Sequence, residues 1–135
     1  MKKILFGITS LTLGGAERVL IDIANKLSDK YEITIFTIYG NGDLERELNS
    51  NIKVKHLYNK KYTELNKFQK IIIPLKILLN KKRIYRKYID GDYITQISFL
   101  EGAITRLFSV KSKINKNCKK IVWIHNDISK VFGKN

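Results

Sequence analysis

The 135-residue chain is 44% apolar and carries seven Tyr, six Phe and one Trp, which excludes disorder as its main state, while one Pro and eight Gly exclude a collagen-like or linker-like chain. Cys118 is the single cysteine, so an internal disulfide and a cysteine-built zinc site are excluded and the cytosol is the expected compartment. Twenty-six Lys and Arg against twelve Asp and Glu leave a net charge of +14, a field that attracts nucleic acid, anionic lipid or phosphorylated substrates.

The start, Met1 to Ile8, resembles a signal peptide only briefly. Its apolar run is short, and glycines and a charged helix follow where a cleavage site would stand. Residues 3–9 therefore read as a buried strand. After Gly14-Gly15, the residues Ala16, Val19, Leu20, Ile23, Ala24 and Leu27 recur at helical spacing and predict an amphipathic helix. Residues 31–38 are β-branched and aromatic, a second strand. Asp43 caps a short helical turn through Leu48. A third strand is expected over 52–57. The segment 65–89 has a helical period interrupted by Pro74, which either starts a new helix or kinks a longer one. Residues 92–99 predict a strand, 101–110 a short helix, 111–120 a basic loop and 120–125 a final strand. Strands alternating with helices predict an α/β fold, a Rossmann-like three-layer domain with a mainly parallel sheet. No run approaches eighteen uncharged apolar residues, so no spanning helix is expected.

The charge is unevenly placed. Residues 1–59 carry 8 basic and 7 acidic side chains, 60–90 carry 10 and 2, and 91–135 carry 8 and 3, giving +1, +8 and +5. Within the second block, Lys81, Lys82, Arg83, Arg86 and Lys87 alternate with apolar residues and tyrosines. On a helix this gives one apolar and one cationic side, a pattern that suits an anionic membrane surface and equally an ordinary solvated face.

In such sheets ligands bind beyond the carboxyl ends of the strands. Gly14 and Gly15 fall at one such end. There backbone amides and a helix N-terminus suit an anionic group, although a plain strand-to-helix turn uses glycines too. Neither Gly-x-Gly-x-x-Gly nor a P-loop is present, which disfavours a dinucleotide-dependent oxidoreductase. His125-Asn126-Asp127 follow the last strand, where an imidazole would face the crevice. His56 has no partner in sequence and reads as surface. Lysines beside Cys118 can lower its pKa, but no His–Asn/Asp arrangement supports nucleophilic work. Trp123 reads as core or cleft wall.

Taken in order, Leu13-Gly14-Gly15-Ala16-Glu17-Arg18-Val19, Ile97-Ser98-Phe99-Leu100-Glu101 and Ile121-Val122-Trp123-Ile124-His125-Asn126-Asp127 resemble the N-terminal domain of the family 4 retaining glycosyltransferases of GT-B fold, of the bacterial surface-polysaccharide type. The resemblance implies transfer of a sugar from a nucleotide-sugar donor to a glycan or glycolipid acceptor. It places Gly14 and Gly15 beside donor diphosphate and acceptor, and His125 as the catalytic residue near the donor sugar. Asn126, Asp127 and Glu101 are further substrate-side positions, Glu101 also serving as a helix-start carboxylate. It implies no metal or other cofactor, no nucleic-acid partner, and work at the inner face of the cell membrane. It also implies a second, C-terminal donor-binding domain with two glutamates separated by seven residues. No glutamate pair in this chain has that spacing, so residues 1–135 are expected to be the acceptor-side domain alone, truncated and inactive without its partner domain. The competing expectation is a basic nucleic-acid- or membrane-binding module without catalysis.

Overall fold

A computed structural model describes residues 1–12, 14–99 and 102–123. Five strands, β1 (Lys3–Ile8), β2 (Glu32–Tyr39), β3 (Lys53–Tyr58), β4 (Thr95–Phe99) and β5 (Lys119–Trp123), form one sheet in the order β3-β2-β1-β4-β5. Every pairing is parallel. The helices are α1 (Gly15–Leu27), α2 (Lys67–Leu79), α3 (Lys81–Ile84) and α4 (Ala103–Phe108). The α/β, Rossmann-like architecture expected from the alternation is thus present. A parallel sheet needs a crossover for each strand, and the crossovers cover both faces.

The two faces divide the core. Ile4, Phe6 and Ile8 point to the side where Leu20, Ile21 and Ala24 of α1 pack. Leu5 points to the other side, with Ile73 and Ile77 of α2 and Ile104, Leu107 and Phe108 of α4. This alternation is the period of two of a strand read against the 3.6 period of its covering helix. Gly7 faces α4, and a Cβ there would overlap the Phe108 ring, so the helix approaches the sheet only because this residue has no side chain.

Pro74 lies inside α2, which runs on to Leu79. It removes one donor from the helix without starting or ending it. The actual break follows at Asn80, after which α3 and a π-helical turn, Tyr85–Ile89, continue the segment. The strand expected over 92–99 begins only at Thr95. The preceding residues serve a polar junction at the amino edge of the sheet, where Asp90 accepts from Ser112 Oγ (2.5 Å) and the Lys113 amide (3.0 Å). Asn115 Nδ2 donates to the Tyr93 carbonyl there (2.8 Å).

Candidate functional site

The strand order places a topological switch between β1 and β4. Helix α1, which follows β1, packs on one face of the sheet and α4, which follows β4, on the other, the arrangement that in open α/β sheets marks the carboxyl edge as the ligand-binding end. The register sets Gly7 level with Ser98, Ser98 with Val122 and Phe99 with Trp123. The carboxyl ends of β1, β4 and β5 therefore share one rim. Gly14 and Gly15 stand on that rim at the start of α1. His125, Asn126, Asp127 and Glu101 lie outside the described residues. Trp123, where β5 ends, stacks on Phe99 with ring centroids 5.4 Å apart. It is half-buried wall, and its indole Nε1 has no hydrogen-bond partner among the described residues.

The glycines differ in what they permit. A Cβ on Gly14 would sit 2.8 Å from Glu17 Oε1. That carboxylate accepts from Thr12 Oγ1 (3.4 Å) and so closes over the turn. Among the described residues nothing lies within 4 Å of a Cβ position on Gly15, at the first turn of α1. Among the described residues no side chain caps α1, and its first amides lack an intrahelical acceptor. A third glycine, Gly102, precedes α4 with φ 124°, a conformation that favours glycine.

The loop after β2 supports the β1 loop from one side. The Leu44 amide donates to the Leu11 carbonyl (2.9 Å), and a Cβ on Gly42 would overlap that same carbonyl. His56 anchors this support, which corrects its expected surface role. Its Nδ1 lies 2.6 Å from Thr37 Oγ1 and its Nε2 lies 3.2 Å from Glu45 Oε1. A proton on Nε2 satisfies both, with the threonine hydroxyl donating to Nδ1. Glu45 in turn accepts from the Gly42 amide through Oε2 (2.9 Å). Thr37 is fully buried, so the Thr37–His56–Glu45 chain is a brace and its hydroxyl is no accessible nucleophile. Only a local sequence cue existed, the polar residues of an otherwise apolar strand β2.

At Cys118 burial outweighs the neighbouring lysines. Burial pushes its thiol pKa up, and Lys120 offsets this only in part. Lys120 itself is shifted down by burial. Its ammonium donates to Tyr85 Oη (2.9 Å) and to Gln96 Oε1, and Tyr85 Oη donates to the same Gln96 oxygen (2.8 Å). This is a polar brace between β4, β5 and the π-helical turn.

Lys82, Arg83, Arg86 and Lys87 are exposed and Lys81 is half-buried. None forms an ion pair with a carboxylate among the described residues. The fold brings Lys113, distant in sequence, to the hollow lined by Lys82, Arg83, Arg86 and Lys87. Among the described residues no group of three or more His, Cys, Asp or Glu is placed to hold a metal, and no helix is long and apolar enough to cross a membrane.

The chain is 28% identical over 129 aligned positions to a glycosyltransferase of Campylobacter jejuni subsp. jejuni serotype O:2. That protein is GalNAc-alpha-(1->4)-GalNAc-alpha-(1->3)-diNAcBac-PP-undecaprenol alpha-1,4-N-acetyl-D-galactosaminyltransferase. The alignment covers 91% of this chain and 36% of the relative, so the chain spans about a third of the length of the curated protein it matches. No protein-family profile matches.

Proposed function

We propose that this chain is the acceptor-side domain of a retaining, hexosyl-transferring glycosyltransferase of GT-B fold and family 4. It would work in bacterial surface-polysaccharide synthesis, with a nucleotide-sugar as donor and a lipid-linked glycan as acceptor. The observation that carries this is the likeness, along nearly the whole chain, to an enzyme whose name specifies a glycan on undecaprenyl diphosphate. The switch point between β1 and β4, with Gly14 and Gly15 at its carboxyl edge, supports it.

In this reading the open space over Gly15 admits the acceptor or the donor diphosphate, and the uncapped amides of α1 face that negative charge. Asn126, Asp127 and Glu101 complete the substrate side. The His125 imidazole stands at the donor sugar, where it hydrogen-bonds a hydroxyl or the developing charge as the glycosidic bond changes hands. A second domain supplies most of the nucleotide contacts. Neither a metal nor another cofactor is part of the proposal. The five cations from Lys81 to Lys87 hold the domain to the anionic inner face of the cell membrane, where such acceptors are anchored.

The test uses the purified chain with a polyprenyl-diphosphate glycan in detergent and a panel of nucleotide-sugars. Binding of the acceptor without turnover is expected, with Gly15→Val weakening it. Sugar transfer by the chain alone would overturn the need for a second domain. Absence of acceptor binding would overturn the acceptor-side assignment. A salt-sensitive complex with duplex nucleic acid in its place would favour a non-catalytic binder.

A further inference from the structure

The loop after β2 is wrapped round one imidazole. The His56 ring fills the turn, since a Cβ on Gly40 would lie 2.9 Å from its Cγ. Asn41 takes φ 57° to complete the bend, and its Nδ2 donates to the Asn59 carbonyl (3.2 Å). From β3 the ring reaches in two directions. Nδ1 meets the Thr37 hydroxyl within the sheet (2.6 Å), and Nε2 meets Glu45 Oε1 on the short helical turn Asp43–Glu47 (3.2 Å). The His56 and Glu45 side chains are 19% and 21% exposed. Their contact is thus largely shielded from water and stronger than a surface pair of the same geometry.

The Glu45 arm leads on to the β1 loop. Glu45 Oε2 accepts from the Gly42 amide (2.9 Å), and Gly42 lies so close to Leu11 that a Cβ on it would overlap the Leu11 carbonyl. The Leu44 amide, beside Glu45, donates to that same carbonyl (2.9 Å). Two residues earlier, the amides of Ile38 and Tyr39 both donate to the Thr9 carbonyl (3.1 and 3.0 Å). The β1 loop is therefore held at Thr9 by β2 and at Leu11 by the turn that Glu45 anchors. Leu11 stands three residues before Gly14, and its neighbour Thr12 donates to Glu17 of α1. The Thr37 arm, by contrast, ends inside the sheet on a fully buried side chain. It satisfies a hydroxyl that burial would otherwise leave unpaired.

We infer that His56 is a positioning residue: through Glu45, and not through Thr37, it fixes the β1 loop that leads to Gly14 and Gly15. That the loop receives a ligand rests on the function proposed above. The imidazole itself touches no part of the diglycine turn, so its effect on the site passes entirely through Glu45, Gly42 and Leu44. Losing the Thr37 arm weakens the fold. Losing the Glu45 arm frees the turn from Leu11 while the sheet stays paired, a local opening distinct from global unfolding.

Two conservative substitutions in the full chain separate the arms. His56→Asn sets an amide oxygen near the Nδ1 position, where it accepts from Thr37, and is too short for Glu45. His56→Gln carries an amide N–H to the Nε2 position for Glu45 and leaves Thr37 without its acceptor. Glu45→Ala removes the second arm from its far end and spares the sheet. Amide hydrogen exchange is followed by NMR at Leu44, with the amides of β1 reporting global unfolding. Relative to those amides, exchange at Leu44 should rise about tenfold in His56→Asn and Glu45→Ala, the scale of one hydrogen bond to a charged group. In His56→Gln it should stay near the wild-type value even though that variant has the lower urea midpoint. A rise that follows global stability in all three variants, or no rise in any, would overturn the inference. Acceptor affinity should fall in His56→Asn and Glu45→Ala and be restored in His56→Gln. Unchanged affinity with a loosened loop would overturn it as well. A wild-type chain that binds no acceptor would overturn the proposed function, while the exchange pattern still decides whether His56 fixes the loop.

Discussion

Helices α1 and α2 have the same length, thirteen residues, and each follows a strand of the same parallel sheet. They differ in how much of their apolar surface the fold consumes. In α1, Ala16, Leu20, Ile21 and Ala24 are buried, while Glu17, Arg18, Asp22 and Lys26 occupy the remaining surface. Arg18 pairs with Glu47, and Asn25 Nδ2 donates to the Glu47 carbonyl (2.9 Å), which ties that outer side to the next segment. In α2 only Ile73 and Ile77 are fully buried, although the helix is far richer in Ile and Leu. One helix is sized to its sheet, whereas the other carries hydrophobic side chains that folding leaves unused. The contrast separates residues kept for stability from residues available for an outside partner.

The sharpest way to break the comparison is to cut both helices on both sides. Leu20→Ala in α1 and Ile77→Ala in α2 remove fully buried side chains. Each should cost roughly 2–5 kcal/mol in urea unfolding. Leu79→Ser, on the exposed side of α2, should stay within about 0.5 kcal/mol of wild type. A loss for Leu79→Ser approaching that of Ile77→Ala would mean that side belongs to the core, and the contrast would collapse.

The alternation of elements was legible because strand and helix periods differ and the segments are short and bounded. The diglycine rim was legible for the same reason, since it sits between a clear strand and a clear amphipathic helix. The two sides of α2 were not legible. A helix apolar on two opposite sides has no preferred face in its own sequence, and only the position of the sheet selects Ile73 and Ile77 over Ile71 and Leu75. Gly7 and Gly42 were missed for a related reason. Each answers a close approach from elsewhere in the chain, Phe108 in one case and the Leu11 carbonyl in the other. His56 was misplaced because Thr37 and Glu45 reach it only through the pairing of β2 with β3.

The α2 side should also be the alkali-sensitive side. Burial pushes the Tyr39 and Tyr85 phenols up to about 12, and neighbouring Tyr62 and Tyr58 add to the shift at Tyr39. Burial raises Tyr93 as well. All three pack in the α2-side core. An unfolded tyrosine ionises near 10, so as pH rises from about 10 to 12 the unfolded chain loses protons that the folded chain retains. Stability therefore falls through that window, on the order of 2 kcal/mol for each phenol shifted to about 12. Lys120 acts in the opposite sense, since its lowered pKa makes stability rise with pH below about 10.5. Urea midpoints measured in steps above pH 10 should decline, and Tyr39→Phe should flatten the decline. A flat profile would show that these rings meet water.

The two helix starts extend the contrast at smaller cost. Asn66 caps α2, its Oδ1 accepting from the Gln69 amide (2.8 Å) while Gln69 Oε1 accepts from the Asn66 amide (3.1 Å). Asn66→Ala should lose about 1 kcal/mol. Among the described residues the start of α1 has no such cap, and at Gly15 a methyl group meets none of their atoms. Gly15→Ala should therefore leave stability within about 0.5 kcal/mol of wild type or raise it slightly, because alanine favours the helix. If that position exists for folding, the substitution has no reason to touch anything else. If it exists to admit a ligand, acceptor affinity should drop while the urea midpoint holds. A fall in stability matching the fall in affinity would assign Gly15 to the turn and remove it from the site.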